Sequence, residues 1–154
     1  MLKINSQAPE FILKNHDGEV VRSSDFVGKP LIVYFYPQDD TPGCTTEACN
    51  FRDDYSEYKD MGVEVIGISP DTVESHKDFR QKYQLPFILL SDPDHQTATA
   101  YGVWGKKEKE GKEYDGIYRI TFVIDRMGEI VKIFEGVDPS VHSQEVLDEI
   151  KKLV

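Results

Sequence analysis

The chain has 154 residues, 39% hydrophobic and 30% charged, which fits one soluble domain over 1–154 that buries about two-thirds of its unfolded surface and needs no staples. A formal net charge of -10 argues against a nucleic-acid surface, which wants clustered Lys and Arg, and against docking on anionic lipid. The longest apolar run, 31–36, is far short of the roughly 20 residues that cross a bilayer, and no apolar core follows Lys3, so 1–5 opens no secretory leader and the expected compartment is the cytosol.

In chain order, 11–14 and 19–22 flank Asn15, Asp17 and Gly18 and predict a hairpin. Residues 31–36 are a continuous β-branched and aromatic run, the pattern of a strand covered on both faces, and Pro37 ends it. A helix is expected over 45–59, with Ala48, Phe51, Tyr55 and Tyr58 at spacings of three and four, stopped by Gly62. Residues 63–69 predict a second buried strand, 72–83 a helix capped by Asp71 or Thr72, and 87–90 a short third strand. One or two helical turns are expected over 95–101. The charge-dense segment 106–113 mixes signs around Gly111 and predicts a solvated loop or hairpin tip. Residues 118–124 and 129–134 then pair as an antiparallel hairpin around 125–128. A last helix over 143–153 gathers Val146, Leu147 and Ile150 on one face. The order predicts an α/β domain with a mixed central sheet, flanking helices and an N-terminal hairpin. It resembles the thioredoxin fold, although element order alone leaves other topologies open.

Cys44 and Cys49 are the two cysteines, too few for a disulfide scaffold. A close pair in a reducing compartment is more often redox-active or metal-binding than structural. Pro42 and Gly43 break the chain before Cys44, and helical periodicity starts after it. Cys44 is therefore expected in the first turn of a helix, at the carboxyl end of a buried strand, where free N–H groups and the helix dipole favour an anion. Its thiol is expected to ionise below the ordinary value of about 8.5, and a drop of roughly two units would make most of it thiolate at neutral pH. The alternative is an inert cysteine packed as a small hydrophobe, which its polar and turn-forming neighbours argue against.

Five helical residues separate the two sulfurs' Cα atoms by roughly 8–9 Å, beyond the limit of about 7 Å for a disulfide. They cannot bond while the helix is intact. Zinc finds only two ligands in the C-x4-C pair, and His16, His76, His95 and His142 are scattered. Cys49 could also be an ordinary helix-core residue. Thr41 could aim its hydroxyl at the same pocket or serve as a turn residue. Arg119 falls in the expected strand 118–124, on the face of Ile117 and Thr121. A charge there needs a partner, and a thiolate would be one; an exposed strand end is the other explanation.

The spacing Pro37-x-x-x-Thr41-x-x-Cys44 resembles the active-site signature of the peroxiredoxins, and the stretch 40–49 is similar to the bacterioferritin comigratory protein group, which includes peroxiredoxin Q. Residues 8–11, 65–69, 101–105 and 119–125 resemble other parts of that family, so the likeness covers nearly the whole chain. The resemblance implies a thiol peroxidase acting on hydrogen peroxide and organic hydroperoxides. Cys44 would attack the terminal peroxide oxygen. Thr41, the N–H groups of Gly43 and Cys44, and Arg119 would hold the peroxide, while Pro37 shields the sulfur. Cys49 would resolve the Cys44 sulfenic acid as an intramolecular disulfide, which thioredoxin or a similar dithiol reduces. Glu47, one turn from Cys44, either orients the site or faces solvent. No metal, flavin or haem is implied, no phosphate-binding loop is present, and the group implies a monomer. A thiol–disulfide oxidoreductase or a redox sensor of the same fold is the rival; the first normally uses C-x-x-C.

Overall fold

The computed structural model describes residues 2–153. Met1, the start of the segment read for a leader, and Val154, the end of the expected domain, lie outside the described residues. The first strands, β1 (Ile12–Asn15) and β2 (Val20–Arg22), form the expected hairpin, and a short 3-10 turn follows at Ser23–Phe26. Next come β3 (Leu31–Phe35), α1 (Pro42–Asp60), β4 (Glu64–Ser69), α2 (Val73–Tyr83), β5 (Ile88–Ser91) and α3 (Gln96–Ala100). The chain ends with β6 (Trp104–Lys109), β7 (Lys112–Ile117), β8 (Ile120–Ile124), β9 (Ile130–Phe134) and α4 (His142–Leu153).

Seven strands form one mixed sheet in the order β2-β1-β5-β4-β3-β8-β9. Strand β3 lies inside it, parallel to β4 and antiparallel to β8, with Phe35 opposite Ile68 on one side and Ile120 on the other. Strand alternation divides the core. Ile32, Tyr34 and Tyr36 pack with Phe51 and Tyr58 of α1, Phe79 of α2 and Val146, Leu147 and Ile150 of α4. Val33 and Phe35 pack on the other side with Ile66, Ile68, Tyr101 and Phe122. A strand buried on both faces carries no polar positions, which is why 31–36 reads as an unbroken apolar run.

Several boundaries differ from expectation for local reasons. Helix α1 begins at Pro42 rather than 45, because proline suits a first helical position. It ends as expected: Gly62 sits at φ +74°, its N–H donates to the Lys59 carbonyl, and Val63 N–H donates to the Tyr58 carbonyl. That double bond pattern closes the helix. The segment 106–113 is not only a tip: β6 and β7 form a two-stranded ribbon turning at Glu110 and Gly111, both at positive φ. Its strands are exposed on most positions, so no apolar alternation marked them. Arg119 is not a strand residue. Tyr118 N–H donates to the Val103 carbonyl and its hydroxyl to the Lys106 carbonyl, which holds 118 against the ribbon and delays β8 until Ile120. No helix among the described residues is long and apolar enough to cross a membrane.

Candidate active site

Strand β3 delivers the chain to the start of α1 at the centre of the sheet. Thr41 caps that helix in an extended conformation (φ -95°, ψ 156°), and Pro42 takes its first position. Helical bonding begins with Thr45 N–H donating to the Thr41 carbonyl at 2.8 Å. The N–H groups of Gly43 and Cys44 precede it and have no carbonyl within the helix. Cys44 is buried, at 1% exposure, and Cys49 is half-buried; both are free thiols.

The surroundings of Cys44 are not those of an inert hydrophobe. Arg119 Nη2 donates to its Sγ at 3.4 Å, while Nη1 of the same guanidinium donates to Glu47 Oε1 at 2.7 Å. One cation thus bridges a sulfur and a carboxylate spaced one helical turn apart. Gly43 lies beneath it: a β-carbon there would meet Arg119 Nη2 at 3.2 Å. The loop before β8 supplies the arginine, and the absence of a side chain at 43 lets it lie across the start of α1.

Glu47 is not the solvated helix-face residue that was one alternative; it is 1% exposed. Burial pushes its carboxyl up to about 7, against the pull of Arg119. Burial works against the charge on Arg119 too, but Glu47 and Cys44 together hold it above its ordinary range. Glu47 Oε2 and the buried Tyr34 hydroxyl have no hydrogen-bond partner among the described residues. Burial, followed by the Glu47 and Cys44 charges, raises Tyr34 well above its usual range and keeps it neutral.

Thr41 donates its hydroxyl proton to the Gln38 carbonyl at 2.9 Å, which leaves the oxygen lone pairs free to accept. Pro37 is half-buried in the same loop. A cleft of about 450 Å³ is lined by Arg119, Lys107, Tyr118, Ile120 and Val137. Lys107, on the β6–β7 ribbon, donates to the Ile117 carbonyl at 2.8 Å; burial first, then Arg119, lowers its ammonium below the ordinary value. A smaller cavity of about 160 Å³ sits against Leu31 and Ile124, at the end of β3 remote from Cys44.

The structure also brings together residues that sequence reading passed over. Tyr36, Asp39, Ser75 and His76 form a buried network under the loop, with Asp71 beside it. Ligand-type atoms of Asp39, Asp71 and His76 lie within 4.8 Å of one another, and hydrogen bonds to neighbouring groups engage all three side chains. The pair Asp39-Asp40 just after a buried strand was the visible signal, because apart from Tyr36 its partners Asp71, Ser75 and His76 lie over 30 residues away.

The chain is similar to known proteins over nearly its whole length. The AhpC/TSA family matches residues 4–133. The chain belongs to that family. Peroxiredoxin Bcp of Bacillus subtilis (strain 168) is 45% identical over 152 residues, covering 99% of this chain and 97% of that protein. Peroxiredoxin Bcp of Escherichia coli (strain K12) is 48% identical over 151 residues, covering 98% and 97%. Among solved structures, a mutant of Xylella fastidiosa PrxQ superposes with a TM-score of 0.94 at 30% identity, covering 99% of this chain and 98% of that one. The bacterioferritin comigratory protein of Xanthomonas campestris, described for its alkyl peroxide reduction, superposes at 0.88 with 34% identity, covering 93% and 91%. The protein is therefore a peroxiredoxin enzyme with the thioredoxin-like fold of its family, as its signature residues implied.

Proposed function

We propose that the protein reduces hydroperoxides by a two-cysteine cycle centred on Cys44. The observation that carries this reading is the Arg119 guanidinium, held on Glu47 and donating to Cys44 Sγ at the start of α1. It sets a fixed positive charge beside the sulfur where an anion must react and where negative charge must leave. The Cys44 thiolate attacks the terminal oxygen of ROOH; the S–O bond forms as the O–O bond breaks. The departing RO⁻ takes a proton and leaves as ROH, or as water when the substrate is hydrogen peroxide. The lone pairs of Thr41 and the N–H groups of Gly43 and Cys44 hold the two peroxide oxygens meanwhile.

Cys44 is then a sulfenic acid. The Cys49 thiolate attacks that sulfur, forms the disulfide and expels hydroxide, which leaves as water. Helix α1 runs unbroken from Pro42 to Asp60, and five helical steps span roughly 8–9 Å, more than a disulfide allows. Resolution therefore requires its first turns to unwind. A dithiol reductant of the thioredoxin type returns both thiols by exchange. Similarity to the Xanthomonas campestris protein supports organic hydroperoxides as substrates beside hydrogen peroxide. The chain would act as a single-domain monomer in a reducing compartment such as the cytosol.

The test is to mix reduced protein with one equivalent of hydrogen peroxide and map the intact mass. A loss of two hydrogens with a Cys44–Cys49 crosslink is expected. One added oxygen on Cys44 without the crosslink would keep the peroxidase and discard Cys49 as resolver. No change, or undiminished peroxide consumption by Cys44→Ser, would remove the reading altogether.

A further inference from the structure

The loop between β3 and α1 carries Thr41 and sets where α1 begins, yet it is short and polar and packs no large apolar side chain between Pro37 and Pro42. What holds it is Asp39. Its carboxylate Oδ1 accepts from the Tyr36 hydroxyl at 2.6 Å. Its Oδ2 accepts from the Ser75 hydroxyl at 2.8 Å and meets His76 Nδ1 at 2.7 Å. Its backbone N–H donates to Asp71 Oδ2 at 2.7 Å. The Asp39 side chain is 4% exposed and that of His76 is 0% exposed.

The partners fix the proton count. His76 Nε2 lies 2.9 Å from the Leu90 carbonyl, which only accepts, so Nε2 carries a proton. Nδ1 faces a carboxylate oxygen, so a second proton must lie between that nitrogen and Asp39. The bond is charge-assisted, in a dry site, where such bonds are strong and costly to leave half-made. The next residue turns the chain away at φ +57°, and the Asp40 carboxylate accepts from Lys82 Nζ at 2.7 Å and the Tyr83 hydroxyl at 2.6 Å. Two consecutive acids thus grip α2 at its first and last turns. The Asp40 contacts are exposed and worth little; the Asp39 contacts are buried.

We propose that Asp39 is a positioning residue for peroxide reduction: its bonds to Tyr36, Ser75 and His76 fasten the loop to α2, and this places Thr41 and the first N–H groups of α1 where the peroxide is held. The proposal rests on the peroxidase reading above. It separates two properties of Cys44. Reaction with peroxide needs the whole oxygen-binding pocket, and a displacement of about 1 Å there costs about 100-fold. Alkylation by iodoacetamide needs only an accessible thiolate beside Arg119.

The experiment compares wild type, Asp39→Ala, Asp39→Asn and Ser75→Ala by two rates at Cys44, with hydrogen peroxide and with iodoacetamide, and by amide exchange over 40–46 in the reduced protein. Asp39→Ala should lower the peroxide rate about 100-fold, leave alkylation within about threefold, and raise exchange over 40–46. Asp39→Asn should recover most of the peroxide rate, because its amide can donate to Nδ1 of a neutral His76 while its oxygen accepts from Tyr36. If Asp39→Ala does not fold, Ser75→Ala, which removes one of the bonds, must show the same selectivity for peroxide over iodoacetamide. Equal losses with both reagents, or no loss with either, would overturn the proposal, as would Asp39→Asn behaving like Asp39→Ala. Wild type that consumes no peroxide would defeat the peroxidase reading instead; unchanged exchange over 40–46 in Asp39→Ala would still defeat the clamp.

Discussion

In the folded protein burial pushes the Glu47 carboxyl from 4.5 up to about 7, despite Arg119 at 2.7 Å; in the unfolded chain it returns to its ordinary value. The folded state therefore binds this proton more tightly. Its contribution to stability is fully present below pH 4.5 and is lost as pH rises to about 7. At about 1.4 kcal/mol per pH unit, the loss across that window is about 3 kcal/mol. His142 slopes the other way. Burial, with Arg119 adding to it, lowers its imidazole from 6.5 to about 4, so its contribution is present above pH 6.5 and is lost as pH falls to about 4, again by about 3 kcal/mol. Both side chains are fully buried. Between pH 4.5 and 6.5 the two effects oppose each other in the wild type. Glu47→Gln removes one and exposes the other. Urea unfolding of wild type and Glu47→Gln from pH 4 to 7.5 measures this. The stability of wild type minus that of the variant should fall by about 3 kcal/mol between pH 4.5 and 7. The His142 and surface contributions cancel in that difference. A difference that is independent of pH, or that rises with it, would mean that the Arg119 ion pair offsets or outweighs burial at Glu47, and would refute the reasoning.

Arg119→Ala should lower the peroxide rate of Cys44 by about 100-fold, the scale for losing one preorganised donor to a developing anion, and should also slow its alkylation at neutral pH; unchanged stopped-flow rates would take Arg119 out of the site. Cys49→Ser should consume one equivalent of peroxide and then stop in the presence of thioredoxin, as followed by NADPH oxidation through thioredoxin reductase; sustained turnover would show that Cys49 is not the resolver. Gly67→Ala should destabilise the fold by about 1–3 kcal/mol in urea unfolding. Its β-carbon would lie 2.8 Å from Tyr34 Cζ and 3.0 Å from Leu89 Cδ2, in a core with no room to yield. A change under 0.5 kcal/mol would show that the Tyr34 ring can move aside.

Much of the fold was legible because its local signals agree with its long-range contacts. The unbroken apolar run of β3, the 3.6-residue period of α1 and the glycine past its end each follow from backbone geometry and burial that a short window already contains. The same holds for the place of Cys44: proline, glycine and cysteine in succession put it in a first helical turn, and the spacing from Pro37 through Thr41 to Cys44 identified the family. What a window cannot contain is a partner far along the chain. The β-forming neighbours of Arg119 predict a strand there; contacts of Tyr118 to Val103 and Lys106 hold it in a loop instead. Glu47 stayed open between solvent and site until α1 packed it under that loop. The Asp39 network joins the segment after β3 to α2 and β5, and the strands of the β6–β7 ribbon carry no apolar alternation to announce them. The sequence by itself determined most of the elements, the place of Cys44 in a first helical turn and the family, since those depend on neighbours within a few residues. Only the tertiary structure decided which charges meet Cys44 and what fixes its loop, because hydrogen bonds and ion pairs act over about 3 Å in space and take no account of separation along the chain.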